Sequence, residues 1–147
     1  MMSPSQLRVA LVTMSFQQSG AEKQLVYMAR ALKSVGVDVR VFHLVVGGYY
    51  YEVLRALGIP LVNVAASTMI RRFWRLVREV KRFSPHIVQA NHFGTNLHAT
   101  IAARCCNALA LGAARSSGYR DVRYHGRRGP WLLRLPDAFL VNSHAAA

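Results

Sequence analysis

Short apolar segments rich in β-branched residues alternate along the chain with segments whose apolar residues recur every three or four positions. This alternation is typical of a parallel sheet with crossover helices. It predicts strands at residues 7–14, 37–46, 59–64, 87–90, 108–113 and 138–141, and helices at 21–34, 50–57, 69–83, 95–107 and 130–135. The predicted fold class is α/β, a doubly wound parallel sheet in a Rossmann-like three-layer sandwich.

The length of 147 residues suits one domain, so residues 1–147 are predicted to form a single unit. The longest apolar runs are far shorter than the roughly 18 to 20 residues that cross a bilayer. The N-terminal segment lacks the pattern of a secretory signal. Cys105 and Cys106 are adjacent and cannot form a framework disulfide, which fits a reducing compartment. We therefore expect a cytoplasmic location.

The charge is strongly positive, with 19 Lys and Arg against 6 Asp and Glu and a formal net charge of +13. This balance indicates a polyanionic partner: nucleic acid, an anionic membrane surface or a phosphate-bearing ligand. Nucleic acid is the remote alternative, because the sequence has no aromatic RNP signature, zinc-ligand spacing or recognisable helix-turn-helix.

The predicted helix 69–83 concentrates this charge. At 100° per residue one stripe is formed by Arg71, Arg75, Arg78 and Arg82. The opposite side carries Met69, Phe73, Leu76, Val80 and Phe83. Trp74 lies between the two faces, a position suited to a lipid headgroup boundary. The simpler interpretation is a solvated outer face on a crossover helix. The excess of positive charge favours contact with an anionic membrane surface through Arg71, Trp74, Arg75, Arg78 and Arg82.

The loop after the first strand leads through Ser19 and Gly20 into the first helix. It matches neither the G-x-G-x-x-G dinucleotide pattern nor a Walker A loop. Because helix N-termini attract anions, Ser19 and Gly20 are candidates for binding a substrate or anion. The alternative is that they only cap the helix, with Glu22 satisfying the helix dipole. Both interpretations remain open from the residues alone.

Asn91 and His92 follow the fourth predicted strand, at the edge where open α/β sheets bind ligands. The alternative for His92 is a half-buried ring bonded to nearby backbone. His86, His92 and His98 are spaced six apart, which misses the i, i+4 spacing of helical zinc ligands, so no metal site is expected. Arg115 and Ser116 end the next strand, where Arg115 is either a phosphate contact or a solvated loop residue.

Three segments resemble family 4 glycosyltransferases. "QSGAEKQLVYMARALKSVGVDVRVF" is similar to the first βα unit of that family, with Ser19 in place of one family glycine. "FSPHIVQANHFG" and "PDAFLVNSHA" are similar to its P-D-(I/V)-(V/I)-x-x-H and D-x-(V/I)-(I/V)-x-x-S-x-A segments. The three occur in the family's order and together cover nearly the whole chain.

This resemblance implies the N-terminal, acceptor-binding domain of a two-domain GT-B enzyme, in which the C-terminal domain binds most of the nucleotide-sugar. The family's E-x7-E motif is missing here, so the C-terminal donor-binding domain is expected to be absent and catalysis by this chain alone to fail. The resemblance makes His92 the candidate catalytic residue, with Ser19, Gly20, Asn91, Arg115 and Ser116 binding substrate. It implies no cofactor and no obligatory metal.

The resulting functional hypothesis is sugar transfer from a nucleotide-sugar to a lipid-linked or saccharide acceptor, by a protein peripheral to the cytoplasmic face of the inner membrane. The main alternative is a non-catalytic or partner-dependent binding subunit, with a separate chain supplying the donor domain. A basic nucleic-acid-binding protein is more remote.

Overall fold

A computed structural model describes residue 3, residues 6–114, residue 123 and residues 126–141. Six strands form one sheet in which every neighbouring pair is parallel, in the order β3-β2-β1-β4-β5-β6. The strands are β1 (Arg8–Thr13), β2 (Asp38–His43), β3 (Leu61–Asn63), β4 (Ile87–Ala90), β5 (Leu109–Ala114) and β6 (Ala138–Val141). The predicted α/β class with a doubly wound parallel sheet is confirmed.

Helices cover both faces of the sheet. They are α1 (Gly20–Ser34), α2 (Tyr49–Ala56), α3 (Met69–Phe83), α4 (Asn96–Arg104) and the short α5 (Gly129–Leu132), with 3-10 turns at Phe93–Thr95 and Gly126–Arg128. One core cluster joins the sheet to α1 and α2, and the other joins it to α3 and α4. The chain therefore forms the predicted three layers.

The central strand β1 shows why the strands read as continuous apolar runs. Val9 and Leu11 belong to the core under α1 and α2, whereas Ala10 and Val12 belong to the core under α3 and α4. Successive side chains of a strand point to opposite faces, so a strand covered on both faces needs apolar residues at every position.

Several elements are shorter than predicted. The segment predicted as a strand at 37–46 ends its ladder at His43, because Gly47 and Gly48 adopt positive φ and turn the chain into α2. The helix predicted at 95–107 begins with a separate 3-10 turn and ends at Arg104. Its continuation is blocked by Asn107, which has a left-handed φ of 54°.

Helices α3 and α4 meet through a stacked ring pair. The His98 ring of α4 lies 4.2 Å from the Phe73 ring of α3, at an interplanar angle of 6°. Burial lowers the pKa of His98; the Gly94 backbone carbonyl opposes this fall, and the nearby Arg72 charge adds to it. The packing therefore favours the neutral imidazole.

None of the helices in the described part of the chain is both long enough and apolar enough to cross a membrane.

Candidate functional site

The candidate site lies at the carboxyl ends of the two central strands, β1 and β4. The connections that follow these strands turn to opposite faces of the sheet there. After β1 the chain passes to α1 on one face of the sheet, and after β4 it passes to α4 on the other face. Strands β1 and β4 are neighbours. A crevice therefore opens between their carboxyl ends, which is the usual ligand position in open α/β sheets. The predicted site residues Ser19, Gly20, Asn91 and His92 all belong to these two connections.

A contact between Glu22 and His92 joins the two sides of this crevice. Glu22 Oε1 of α1 lies 2.9 Å from His92 Nε2. The other carboxylate oxygen, Oε2, accepts a hydrogen bond from the Ser19 hydroxyl. Only 4% of the Glu22 side chain is exposed, against 26% for His92. The histidine is thus the part of this pair that reaches the crevice.

Polar contacts hold the backbone and side chain next to this pair. The His92 N–H donates to Thr95 Oγ1 at 3.1 Å, and the Thr95 hydroxyl donates back to the His92 carbonyl at 2.8 Å. Asn91 Nδ2 lies 3.2 Å from His92 Nε2 and donates to Thr13 Oγ1 at 3.4 Å. A hydrogen bond from His92 to the Glu22 carboxylate requires the ring proton to be on Nε2. The imidazole is therefore held by the Glu22 carboxylate of the other connection, and Nε2, which gives its proton to Glu22, does not also accept one from Asn91.

The start of α1 differs from a simple helix cap. Ser19 occupies the N-cap position in an extended conformation, but its side chain makes no bond to the helix backbone. Its hydroxyl bonds the Glu22 carboxylate instead. A Cβ added at Gly20 would meet no heavy atom within 4 Å among the described residues. The fold therefore does not require glycine here, and open space remains beside the helix start.

The loop before α1 is anchored by Phe16. This side chain is fully buried and its ring lies 5.0 Å from His43 and 5.7 Å from Tyr51. The Phe16 carbonyl accepts the Tyr50 N–H at 3.0 Å. A Cβ at Gly48 would lie 2.6 Å from the Phe16 carbonyl carbon, and Gly48 has a φ of +122°. The approach of the two loops therefore requires glycine at this position.

Asn96 is a buried polar residue that the sequence analysis did not single out. Its side chain accepts the Ala113 N–H at 2.9 Å and donates to the Ala113 carbonyl at 3.3 Å. These two bonds tie the start of α4 to the end of β5. An asparagine at a helix start is a common local signal, but its strand partner is visible only in the fold. The predicted site residues Arg115 and Ser116 lie outside the described residues.

The outer face of α3 carries the predicted basic stripe. Leu76, Val80 and Phe83 are buried against the sheet, as predicted. Met69, predicted to face inward, is 66% exposed, because the first turn of α3 extends beyond the residues that form the core. Trp74 is 72% exposed. A groove of about 510 Å³ runs along this face and is lined by Arg71, Trp74, Arg75, Val77, Arg78 and Lys81.

Two of the stripe arginines have an acidic partner. Arg78 Nε and Arg82 Nη1 lie 3.0 and 2.9 Å from the same oxygen of Glu79. Arg75 instead donates a hydrogen bond to the carbonyl of Ala65 in the loop before α3. Because this carbonyl is neutral, it does not neutralise the charge of Arg75. Among the described residues, Arg71 and Arg75 in the N-terminal half of the helix therefore have no acidic partner.

Metal binding was not expected from the sequence. Within the part of the chain that the structure describes, no group of three or more His, Cys, Asp or Glu side chains is placed to hold a metal ion.

The fold is similar to those of solved glycosyltransferase structures. HepE from Anabaena, determined with UDP-glucose, has a TM-score of 0.78 and 16% identity; the match covers 95% of this chain and 38% of that one. MurG from Acinetobacter baumannii has a TM-score of 0.69 and 13% identity, over 92% of this chain and 41% of that one. The lipopolysaccharide outer core galactosyltransferase WaaB has a TM-score of 0.66 and 14% identity, over 95% and 40%.

This chain thus spans about two fifths of the length of these structures. At such low identities the likeness establishes the fold and nothing finer. No curated protein matches the chain. The model of glycosyltransferase family 4, however, matches residues 18–147, which include α1, strand β4 and the Asn91–His92 pair. The chain belongs to glycosyltransferase family 4.

Proposed function

We propose that the chain is the acceptor-binding N-terminal domain of a glycosyltransferase. In this proposal the complete reaction moves a sugar from a nucleotide-sugar to a lipid-linked or saccharide acceptor. The observation that carries the proposal is the meeting of Ser19, Glu22, Asn91 and His92 at the crevice between β1 and β4. Hydroxyl, carboxylate, amide and imidazole groups are the hydrogen-bonding groups that a polyhydroxylated ligand needs.

His92 is the proposed catalytic or substrate-contacting residue, because its partly exposed ring is fixed at the crevice by a buried carboxylate. Gly20 is proposed to bind through its backbone, since the space beside its Cα is open. Arg115 and Ser116 remain proposed phosphate and substrate contacts on the grounds of their sequence position. The proposed reaction uses no metal or other cofactor.

The nucleotide-sugar is proposed by family membership and by likeness to HepE, whose structure was determined with UDP-glucose. Because this chain spans about two fifths of that structure, we propose that most of the nucleotide-sugar site lies in a donor-binding domain outside residues 1–147. In the alternative proposal, a separate chain supplies that domain. Neither a purely non-catalytic role nor nucleic-acid binding is favoured by the family match.

Contact with the cytoplasmic face of the inner membrane is proposed for the outer face of α3. Arg71, Arg75 and Lys81 line the groove beside the exposed Trp74. Lys and Arg side chains near an anionic bilayer contribute about 1 kcal/mol each, and an indole ring is suited to the headgroup boundary. In this arrangement the protein is peripheral, and a lipid-linked acceptor would approach from the bilayer.

A transfer assay tests the enzymatic proposal. The chain is incubated with vesicles made from bacterial lipid extract and UDP-glucose labelled in the sugar, with and without a separately produced family 4 donor-binding domain. We expect label in the lipid or saccharide fraction only when both proteins are present, and much less with His92→Ala. Equal transfer by the parent and His92→Ala chains would contradict the role of His92. No transfer from any of a panel of labelled nucleotide-sugars would contradict the enzymatic proposal.

A further inference from the structure

Three consecutive tyrosines begin helix α2, which follows β2 at the carboxyl edge of the sheet. Tyr50 and Tyr51 pack against the core under α1 and α2, whereas Tyr49 is 59% exposed. We propose that a sugar ring of the acceptor stacks on the ring of Tyr49, in a subsite beside the crevice between β1 and β4. This inference rests on the proposed function for the saccharide nature of its ligand.

The backbone that carries Tyr49 is held in place by its neighbours. The Tyr51 ring lies 5.7 Å from the rings of both Phe16 and His43, which are buried. The Tyr51 N–H also donates a hydrogen bond to the Gly48 carbonyl at 3.2 Å. These contacts fix the chain on either side of Tyr49. A binding residue on fixed backbone loses less conformational freedom when its ligand arrives, which favours binding.

The contact between Tyr49 and Tyr50 leaves part of the Tyr49 ring open. The two ring centroids lie 4.9 Å apart, and the rings are nearly perpendicular at 86°. In an edge-to-face pair only one ring has a face covered by the other, so at least one face of Tyr49 is not covered by Tyr50. The face of an aromatic ring carries partial negative charge. It therefore attracts the partly positive C–H groups on one side of a pyranose ring.

The segment that carries Tyr49 is uncharged. Residues 41–51 contain no Lys, Arg, Asp or Glu, although the chain has a formal net charge of +13. Burial lowers the pKa of His43 in this segment, against the opposing effect of the Val45 carbonyl, and so favours the neutral ring. Val45 and Val46 add apolar surface that is 42% and 64% exposed. Such a surface suits a neutral sugar better than a phosphate or an anionic lipid headgroup.

The position of Tyr49 relative to the crevice follows from a contact between two connections. Its neighbour Tyr50 donates its backbone N–H to the Phe16 carbonyl at 3.0 Å. Phe16 and Ser19 belong to the same connection and are three residues apart, a span of at most about 11 Å. Tyr49 is therefore placed to contact a second sugar unit of an acceptor whose first unit lies at the crevice. We expect disaccharides to bind more tightly than single sugars.

Binding of neutral sugars to the labelled chain, followed by NMR, tests this inference. The probes are methyl glucoside and methyl galactoside as single sugars, and maltose and lactose as disaccharides. We expect a disaccharide to shift the Tyr49 amide and to bind more tightly than the single sugars. The C–H proton signals of the bound disaccharide should move upfield, because these protons would lie over an aromatic ring. This second result requires only the parent chain.

Three variants separate stacking from a structural role of Tyr49. Tyr49→Phe keeps the ring and should bind the disaccharide within about twofold of the parent, whereas Tyr49→Leu should bind it about three- to tenfold more weakly. Tyr27→Leu is the matched control, because Tyr27 on α1 is also an exposed tyrosine, at 53%. It should bind the disaccharide like the parent chain.

Equal disaccharide binding by the parent and Tyr49→Leu chains would overturn the inference. Shifts confined to the Gly20 and His92 amides would also overturn it, and would leave the proposed function intact. If no probe binds anywhere on the chain, the inference fails together with the saccharide acceptor of the proposed function. If Tyr49→Leu weakens binding to anionic vesicles but not to sugars, Tyr49 contacts a membrane instead and the inference fails.

Discussion

His92 at the end of β4 is held through its Nε2 atom by the buried carboxylate of Glu22 on α1, at a distance of 2.9 Å. The two residues belong to connections that leave the sheet toward opposite faces. This contact therefore ties the two walls of the crevice together and fixes the ring that we place in the site.

Removing either partner of this pair is expected to destabilise the fold. A hydrogen bond to a charged group contributes about 1.5 to 3 kcal/mol, and a buried carboxylate without its partner is costly. We predict that Glu22→Ala and His92→Ala each lower the free energy of unfolding by about 1 to 3 kcal/mol. The double variant should lose clearly less than the sum of the two. Urea unfolding of the four chains measures this coupling, and strictly additive losses would show that the pair does not interact in solution.

Acid is expected to destabilise the α3–α4 contact. Because burial lowers the pKa of His98, the unfolded chain takes up this proton before the folded chain as the pH falls. Stability should therefore be complete above pH 6.5 or so, the ordinary histidine value, and should decline as the pH falls below it. Burial also lowers the pKa of His43, which adds a contribution of the same sign.

His98→Phe separates the two histidines, because phenylalanine keeps the stack on Phe73 and cannot titrate. We predict that its unfolding free energy falls less between pH 7.5 and pH 5.5 than that of the parent chain, with a remainder from His43. An unchanged pH dependence in His98→Phe, measured by urea unfolding, would contradict this account of the stacked pair.

Replacing Gly20 or Gly48 by alanine should have different effects on the stability of the fold. Gly48→Ala places a methyl group against the Phe16 backbone at a positive φ, so we expect a loss of about 1 to 3 kcal/mol. Gly20→Ala meets no described atom within 4 Å and should leave stability nearly unchanged. If Gly20 binds ligand through its backbone, Gly20→Ala should still weaken binding of methyl glucoside. Thermal unfolding and ligand titration of both variants check these outcomes. Loss of stability in Gly20→Ala would contradict the prediction that residue 20 has room for a Cβ atom.

The α3 face should determine binding to anionic vesicles. We predict that Arg71→Gln and Arg75→Gln each weaken binding to phosphatidylglycerol-containing vesicles about fivefold, and that Glu79→Gln strengthens it by releasing Arg78 and Arg82. Trp74→Ala should weaken binding at any salt concentration. Sedimentation with vesicles of increasing anionic lipid content measures these effects.

Arg55→Gln is the control, since it removes one exposed arginine from α2. It should change vesicle binding much less than Arg71→Gln. If the two variants weaken binding equally, net charge alone would explain the attraction and α3 would have no special role. A preference for DNA or RNA over vesicles, falling steeply with salt, would instead favour nucleic acid.

The sequence predicted the order of strands and helices because the central strands β1 and β4 are buried on both faces and form apolar runs in the sequence. It predicted element ends less well. The end of α4 depends on the left-handed backbone at Asn107, and the end of β2 on the Gly47–Gly48 turn. The inward position predicted for Met69 was wrong, because helical periodicity gives the direction of a side chain but not how far the core extends opposite it.

The topology also accounts for what was predicted of the site. Strand ends mark a common edge, so Ser19, Gly20, Asn91 and His92 could be placed near one another from the sequence. The bond between Glu22 and His92 could not, because no local pattern relates two residues so far apart in the chain. Glu22 was interpreted only as a residue that satisfies the dipole of α1, and its burial comes from the packing of the two connections.

The central claim is that the crevice between β1 and β4 binds the acceptor, and the most direct test is to map binding on the labelled chain by NMR. Soluble saccharides and short-chain lipid-linked sugar analogues are added separately to the parent chain, to His92→Ala and to Arg55→Gln. We predict shifts centred on the amides of Gly20, Asn91 and His92, lost in His92→Ala and kept in Arg55→Gln. Shifts confined to other surfaces, or unchanged in a folded His92→Ala chain, would contradict the claim.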